Sequence, residues 1–332
     1  MKSWRNVRNF YHNYCIDNND FLNRLDEIPS LGYDDESLKE RSCINKDLIY
    51  DGNKLNIALN LKKSHNLINK LKNKNLVAFR YGCVEINFLF ETHLNFKFYN
   101  HLTGTASHSI RDNAGLYYRD EKDKDFIEKW YCKNLIELTT DENTELLSCI
   151  NISNMELPLW SKLGLKRTYY NYGDLLKLIL MNSEGKKILY IGNATKSIRT
   201  AFNIGTNKMW KFPVSNFSLY CLQTPQTTLG CNYPHSHMKE TVEILINEIQ
   251  EKYSDFDTAV LGCGGYGSSI INYLRKIYKN KNLIYLGSDC FKMFGIYSYG
   301  MPYTYCNEAI KENWIEVIEE RPVGAKNHPE PK

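Results

Sequence analysis

Short apolar segments alternate with amphipathic ones between residues 185 and 287, and this alternation constrains the fold more than any other feature of the chain. Apolar runs lie at 188–192, 258–261 and 282–286, whereas apolar residues recur at helical spacing in 239–253 and 268–278. Strands that alternate with helices form a parallel sheet with right-handed crossovers. The pattern therefore predicts an α/β fold of three layers.

The upstream part of the chain carries weaker patterns. Residues 54–72 have apolar positions of mixed period that favour a helix, 76–80 is predicted to be a strand, and 103–154 is predicted to be helical. We expect three regions along the chain. They are a polar, mainly helical N-terminal extension over 1–45, an α/β domain over 46–325 and a short tail over 326–332.

Composition excludes several classes of protein. The 42 basic and 38 acidic residues leave a net charge of +4, which is too small to indicate a nucleic-acid partner. The ten cysteines form no C-x-x-C pair and no zinc-like cluster, so a reducing compartment is expected. The first ten residues lack the apolar core of a signal peptide, and no segment has the length of a membrane span. We expect a cytoplasmic protein.

A glycine-rich turn, Gly262-x-Gly264-x-x-Gly267, lies between a predicted strand and a predicted helix. Glycines let the backbone approach an anion, and a helix N-terminus offers N–H groups to a phosphate. With Asp289 near the end of the next strand, the turn also satisfies the dinucleotide fingerprint, so an NAD(P)-dependent oxidoreductase stays open. Against it, only 65 residues of the 332 follow Gly267. A turn that needs glycine only for strand–helix packing is a further alternative.

Other polar residues follow predicted strands or lie in loops. Lys196 and Ser197 are placed to touch a phosphate or simply to begin a helix. His235 and His237 follow a proline and are expected to be loop histidines rather than metal ligands. Cys263 has no sequence-evident histidine and acid partners and is expected to pack as a small residue.

Several separated segments resemble, in the same order, the bacterial GT-D-type glycosyltransferase domain proteins. The segment 79–85 resembles the family's Arg-aromatic-Gly-Asp-x-Glu sequence, 113–117 resembles its Ala-Gly-aromatic turn, and 257–267 resembles its C-terminal half. Further matches are 186–189, 286–288, 294–296, Asn307-Glu308, Trp314 and Arg321-Pro322. The resemblance covers about residues 50–325.

This resemblance implies a Rossmann-like GT-D fold that transfers a sugar from a nucleotide-diphosphate sugar to a glycan, protein or lipid. It places the Asp-x-Glu segment, and with it Glu85, near a Mg²⁺ or Mn²⁺ ion and the diphosphate. We expect Glu85 to act in catalysis, as general base on the acceptor or as a contact to the ribose or sugar hydroxyls; the alternative is a carboxylate that only stabilises the start of a helix. We expect a nucleotide-sugar-binding role for a larger set: Arg80, Gly82, Gly262, Gly264, Gly265, Tyr266, Gly267 and Asp289.

One position departs from the family pattern. Cys83 stands where the family has the Asp of its Asp-x-Glu sequence, which leaves Glu85 as the only carboxylate of the segment. Magnesium and manganese prefer hard oxygen ligands, so a thiol is a poor replacement. We therefore expect Arg80 to neutralise the diphosphate. A catalytically silent nucleotide-sugar-binding protein is the third alternative.

Overall fold

The computed structural model describes residues 46–50, 55–59, 64–93, 106–148, 169–228, 232–297 and 309–319. The predicted N-terminal extension over 1–45 and the tail over 326–332 lie outside these residues. The strands are β1 Lys46–Tyr50, β2 Leu55–Leu59, β3 Val77–Arg80, β4 Thr144–Ser148, β5 Tyr169–Asn171, β6 Lys187–Gly192, β7 Ser218–Gln223, β8 Thr258–Gly262, β9 Asn282–Tyr285, β10 Ile296–Tyr297 and β11 Ile315–Glu316. The α-helices are α1 Ser64–Lys72, α2 Cys83–His93, α3 Ala106–Ala114, α4 Lys124–Thr140, α5 Tyr172–Met181, α6 Thr195–Ile204, α7 Met238–Lys252, α8 Tyr266–Ile277 and α9 Cys290–Met293.

A seven-stranded parallel sheet in the order β5-β4-β3-β9-β8-β6-β7 forms the middle layer. Helices α2, α3, α4, α7 and α8 pack on one face, and α1, α5, α6 and α9 pack on the other. Successive side chains of a strand point to opposite faces, so Leu189 joins the first core and Tyr190 the second. Both faces are covered, which explains why β8 is an uninterrupted buried run. The predicted three-layer Rossmann-like α/β fold is confirmed.

The crossovers whose helices the structure describes share one hand. The connections from β3 to β4, from β7 to β8 and from β8 to β9 run in one direction along the sheet, and their helices lie on the first face. The connection from β6 to β7 runs in the opposite direction, and α6 lies on the second face. The chain therefore leaves the adjacent strands β6 and β8 in opposite directions. In open α/β sheets, ligands bind outside the carboxyl ends of the strands at such a point.

Two predicted helical regions contain strands instead. Leu55–Leu59 pairs with Lys46–Tyr50 as an antiparallel ladder, so the helix predicted over 54–72 begins only at Ser64. Thr144–Ser148 lies inside the predicted helical region 103–154 and pairs with β3. In both, a strand of five residues is too short for its period to outweigh the neighbouring helical pattern.

Asp141 supplies the local reason that α4 ends before β4. Its backbone is extended, and its carboxylate accepts hydrogen bonds from the Asn143 N–H at 3.3 Å and from the Thr144 hydroxyl at 2.7 Å. An aspartate that bonds to the backbone two residues later forms a turn that competes with the helix. Among the described helices, none has both the length and the apolar character that a membrane crossing needs.

Candidate functional site

The carboxyl edge of the sheet brings the two predicted ligand segments together. Arg80 ends β3, Tyr285 ends β9 and Gly262 ends β8, and these three strands are neighbours. The Tyr285 hydroxyl lies 2.9 Å from the Gly264 carbonyl oxygen and 3.4 Å from Glu85 Oε1. One tyrosine thus joins the start of α2 to the glycine turn.

A cluster of three charged side chains lies on the same edge. Arg80 Nη1 is 2.8 Å from Asp289 Oδ2, and Lys292 Nζ is 2.7 Å from Asp289 Oδ1. The side chain of Asp289 is 6% exposed, and those of both cations are 13% exposed. Sequence reasoning identified Arg80 and Asp289 but missed Lys292. The sequence did contain one indication of Lys292, because this lysine follows Asp289 by three residues, near the end of a predicted strand.

Gly287 makes room for this cluster. Its φ is +60°, in the left-handed region, and a Cβ there would lie 2.8 Å from Arg80 Nη2. Only glycine adopts this conformation without strain and leaves the space that the guanidinium fills. The turn between β9 and α9 is therefore shaped around the Arg80 head group.

Glu85 is buried in the first turn of α2, with 2% of its surface exposed. Its Oε2 packs where a Cβ of Gly82 would lie and has no hydrogen-bond partner of good geometry among the described residues. Burial raises the pKa of the Glu85 carboxyl above its usual 4.5. Nearby backbone N–H groups, the Arg80 charge and the Tyr285 hydroxyl oppose this shift without cancelling it.

The Tyr285 hydroxyl has one proton and two acceptors within reach. The Gly264 carbonyl oxygen lies 2.9 Å from the hydroxyl and Glu85 Oε1 lies 3.4 Å from it, so the carbonyl is the nearer acceptor. The hydrogen bond that Tyr285 offers to Glu85 therefore only partly offsets the rise in the Glu85 pKa that burial causes.

Packing accounts for the glycines of the turn. A Cβ at Gly262 would overlap the Cys290 sulfur, and a Cβ at Gly267 would overlap the Tyr285 ring. Gly264 has a φ of +56°, and the Ala114 carbonyl oxygen lies 2.9 Å from the Cβ position of both Gly264 and Gly265. These contacts support the packing alternative that the sequence left open, and a ligand-binding role for the turn stays a prediction.

The end of α3 covers this turn. The Gly265 N–H donates to the Ala114 carbonyl at 2.7 Å, so one of the backbone donors expected to face a phosphate is used inside the protein. Tyr266 is 2% exposed, and its hydroxyl lies 3.1 Å from Thr227 Oγ1. The Tyr266 ring is therefore part of the packed layer beneath the edge.

The described residues do not fit a magnesium or manganese site. Such ions take several oxygen ligands, and among the described residues no group of three acidic, histidine or cysteine side chains is arranged to hold one. Near Arg80, Glu85 is buried in an environment that raises its pKa, and Asp289 is paired with two cations. The Cys83 side chain lies outside what the structure describes.

Three of the other sequence candidates, Ser197, His235 and His237, have structural partners. Ser197, in the first turn of α6, donates its N–H to Glu319 Oε1 at 3.0 Å and its hydroxyl to the same carboxylate. His237 Nδ1 accepts the Glu240 N–H at 3.2 Å and so caps α7, while His235 Nδ1 lies 2.8 Å from Thr241 Oγ1. The long-range partner Glu319 has no signal in the sequence.

Burial also determines the state of the cysteines near the edge. Cys263 and Cys290 are both buried, and burial raises the pKa of each thiol well above its usual value. A nucleophilic cysteine needs its thiolate near neutral pH. Both side chains therefore serve as packing groups, as expected for Cys263.

Comparison with known proteins adds little to this geometry. No protein family model matches the chain, and no curated protein matches it. Among solved structures, the chain is similar to the selenomethionine-substituted structure of domain of unknown function 1792. The two share 12% sequence identity over 80% of this chain and 97% of that chain, with a TM-score of 0.40.

Proposed function

We propose that this chain is a glycosyltransferase that binds a nucleotide-diphosphate sugar at the carboxyl edge of its sheet and transfers the sugar to a glycan, protein or lipid. The observation that carries the proposal is the position of Arg80. Because Cys83 replaces the Asp of the family pattern, Arg80 is expected to neutralise the diphosphate. It lies on the carboxyl edge of the sheet, where α/β folds bind ligands, and shares Asp289 with a second cation, Lys292.

The chemistry of sugar transfer suits a cationic edge. Breaking the bond between the sugar and the diphosphate leaves negative charge on the leaving phosphate oxygen. Fixed cations that face this oxygen stabilise the transition state more than the ground state. Arg80 offers a planar fork of donors that matches phosphate geometry, and Lys292 offers a compact charge.

Glu85 suits a positioning role better than proton transfer. A general base must reach the acceptor hydroxyl, whereas the Glu85 carboxyl is 2% exposed and contacts Tyr285 instead. Through Tyr285 it holds the glycine turn against the start of α2. We propose that Glu85 maintains the conformation of this edge during the reaction.

One observation favours the second candidate, an NAD(P)-dependent oxidoreductase. Strand β9 pairs directly with β8, and Asp289 follows it, as the ribose-binding acid does in the dinucleotide fingerprint. Both oxygens of Asp289 are already paired with cations, however, which leaves this carboxylate poorly placed to accept ribose hydroxyls.

A ligand panel tests the choice between these functions. Purified protein is heated with UDP-, GDP- and CDP-sugars, with and without manganese, and with NADH and NADPH. We expect a nucleotide sugar to raise Tm, since a ligand at a hundred times its Kd stabilises a protein by about 2.7 kcal/mol. A larger shift with NADH would favour the oxidoreductase.

Turnover separates an enzyme from a silent binding protein. Release of nucleoside diphosphate from the bound donor, by hydrolysis or by transfer to added acceptors, is the expected result. Binding without any release would support the silent alternative, in which Cys83→Asp is expected to restore turnover. If no nucleotide sugar binds or is hydrolysed, the glycosyltransferase proposal fails.

A further inference from the structure

Two basic segments that are far apart in the sequence, residues 70–74 and 275–281, meet at the amino edge of the sheet. Between them lies a cavity of about 270 Å³, which we call the amino-edge cavity. Its wall includes Val77, the first residue of β3, and residues from the ends of α1, α4 and α8. Arg80 ends the same strand at the opposite edge, so the cavity is separate from the proposed nucleotide-sugar site.

The charge of the amino-edge cavity is positive. Four cations line it: Lys70 in the last turn of α1, Arg275 in the last turn of α8, and Lys279 and Lys281 in the loop that leads to β9. Asp141 is the only carboxylate among the described lining residues. Lys70 pairs with a second carboxylate, that of Glu145, on the neighbouring strand. Four cations against these two carboxylates leave a net charge of two positive.

Contacts within the protein hold the Arg275 head group in place. Its Nη1 lies 2.8 Å from Asp141 Oδ2, and its Nε donates to Asn272 Oδ1 at 2.9 Å. Its Nη2 donates to the Glu137 carbonyl at 3.2 Å. A guanidinium has five N–H donors, so two remain beyond these three contacts. A cation that is already ordered loses little side-chain entropy when a ligand binds.

Neither Lys279 nor Lys281 forms an ion pair with a carboxylate of the described residues. Lys279 Nζ donates to the Arg275 carbonyl at 3.0 Å, which leaves two of its three N–H donors. Lys281 Nζ lies 5.3 Å from the centroid of the Phe256 ring, a cation–π contact that uses none of its donors for an anion. The two ammonium groups repel each other, and an anion bound between them would relieve that repulsion.

The size of the cavity limits the ligand. Pockets for drug-sized molecules measure roughly 300–1,000 Å³, and the amino-edge cavity lies just below that range. It therefore suits a compact anion better than a whole nucleotide sugar. A guanidinium and two ammonium groups match the several oxygens of a phosphate group, to which charged donors form short, strong hydrogen bonds.

We propose that the amino-edge cavity binds a small molecule that carries a phosphate or diphosphate group, held by Arg275, Lys279 and Lys281. This site does not depend on the proposed function, because it lies at the other end of the strands and uses none of the same residues.

Calorimetry with inorganic pyrophosphate tests the proposal. We expect the wild-type protein to bind, and Lys279→Met and Lys281→Met each to bind about tenfold more weakly, which is about 1.4 kcal/mol. Asn75→Asp, which adds a carboxylate to the wall and removes no cation, should also weaken binding. The matched control is Lys252→Met at the end of α7, which removes a 60% exposed lysine that does not line the cavity. This control should leave binding unchanged.

Lysine acetylation of the wild-type protein locates the bound anion without any substitution. We expect pyrophosphate to protect Lys279 and Lys281 from acetylation and to leave Lys252 unprotected, as measured by mass spectrometry of the peptides. Protection of Lys292 instead would place the anion at the carboxyl edge and overturn the proposal. The absence of pyrophosphate binding, an equal loss in Lys252→Met, or unchanged binding by the Lys279→Met/Lys281→Met double variant would also overturn it.

Two further arms identify the source of the phosphate and separate this site from the proposed function. Vesicles of phosphatidylcholine with phosphatidic acid present the same group on a membrane, and binding to them without binding to free pyrophosphate would contradict a small-molecule site. If pyrophosphate binds through Lys279 and Lys281 but no nucleotide sugar binds, the cavity site stands and the function fails. If a nucleotide sugar binds and pyrophosphate does not, the function stands and the cavity site fails.

Discussion

Tyr285 lies with its hydroxyl 3.4 Å from Glu85 Oε1, which connects the end of β9 to the first turn of α2. The same hydroxyl lies 2.9 Å from the Gly264 carbonyl, so the contact reaches the glycine turn as well. The Tyr285 ring stacks on Phe79, with ring centroids 5.4 Å apart. Three segments far apart in the sequence are thus held by one buried side chain.

The first prediction concerns Glu85 and pH. Because its pKa is raised in the folded protein, Glu85 binds its proton more tightly there than in the unfolded chain. The contribution of Glu85 to folding stability is therefore fully present below pH 4.5, its ordinary pKa, and is lost as pH rises through the raised pKa, by at most about 1.4 kcal/mol per pH unit. We expect Glu85→Gln to gain stability relative to the wild type over this pH range above 4.5. Urea denaturation at several pH values measures this difference.

Glu137→Gln is the matched control because its pH dependence has the opposite sign. Burial acts to raise the pKa of the Glu137 carboxyl, but hydrogen bonds from Asn272 and Lys276 outweigh this effect and lower the pKa. Its contribution is present at neutral pH and lost as pH falls through the lowered pKa. Relative to the wild type, Glu137→Gln should be least stable at neutral pH. Parallel pH profiles for the two variants would contradict the burial of Glu85.

The second prediction concerns Gly267, which lies in the first turn of α8. Alanine is favoured over glycine in helices by about 1 kcal/mol, so propensity alone predicts a gain in stability. A Cβ at this position would instead overlap the Tyr285 ring, which is stacked against Phe79. We expect Gly267→Ala to destabilise the protein by about 1–3 kcal/mol, as measured by chemical denaturation.

The variant Gly185→Ala separates the free-energy cost of steric overlap from that of backbone strain. Gly185 has a φ of +65°, and nothing lies within 4 Å of its Cβ position. Its substitution therefore carries only the conformational penalty, about 1 kcal/mol. Tyr285→Leu should relieve part of the cost of Gly267→Ala and none of the cost of Gly185→Ala. A stabilising Gly267→Ala would contradict the close packing of the turn on β9.

The third prediction concerns the thiols of Cys263 and Cys290. Both are buried and have raised pKa values, so neither forms the thiolate that reacts with alkylating reagents. We expect iodoacetamide at about pH 8 to label neither residue in the native protein and both after unfolding in urea. Mass spectrometry of the peptides reads each site separately. Rapid native labelling of Cys263 would reopen a nucleophilic role for it.

The sequence predicted those strands that are buried on both faces. Strands β6, β8 and β9 are continuous apolar runs, because helices cover both sides of them. Strand β7, at the edge of the sheet, is half exposed along much of its length, and β5 has only three residues. The three residues of β5 are too few to show a period, and the apolar residues 219–222 of β7 were not recognised as a strand.

The sequence predicted which segments of the site lie close together, but it did not predict which side chains form ion pairs and hydrogen bonds. Arg80 and the glycine turn each follow a parallel strand, so their shared edge was predictable. The partners of Asp289 depend on the conformation of the β9–α9 turn, where Gly287 has a φ of +60°. The contact of Ser197 with Glu319 joins residues 122 positions apart. A pattern of neighbouring residues cannot predict a contact between positions so far apart in the sequence.

The fourth prediction concerns this contact between Glu319 and the N-terminus of α6. A carboxylate that accepts the Ser197 N–H and hydroxyl satisfies a helix donor and faces the positive end of the helix dipole. We expect Glu319→Ala and Ser197→Ala to lower stability by about 1 kcal/mol each, and the double variant to lose less than their sum. Urea denaturation of the four proteins gives the coupling energy. Glu316→Ala, at an exposed position of the same C-terminal segment, should show no coupling to Ser197→Ala. Additive effects of Glu319→Ala and Ser197→Ala would mean that the carboxylate does not cap α6 in solution.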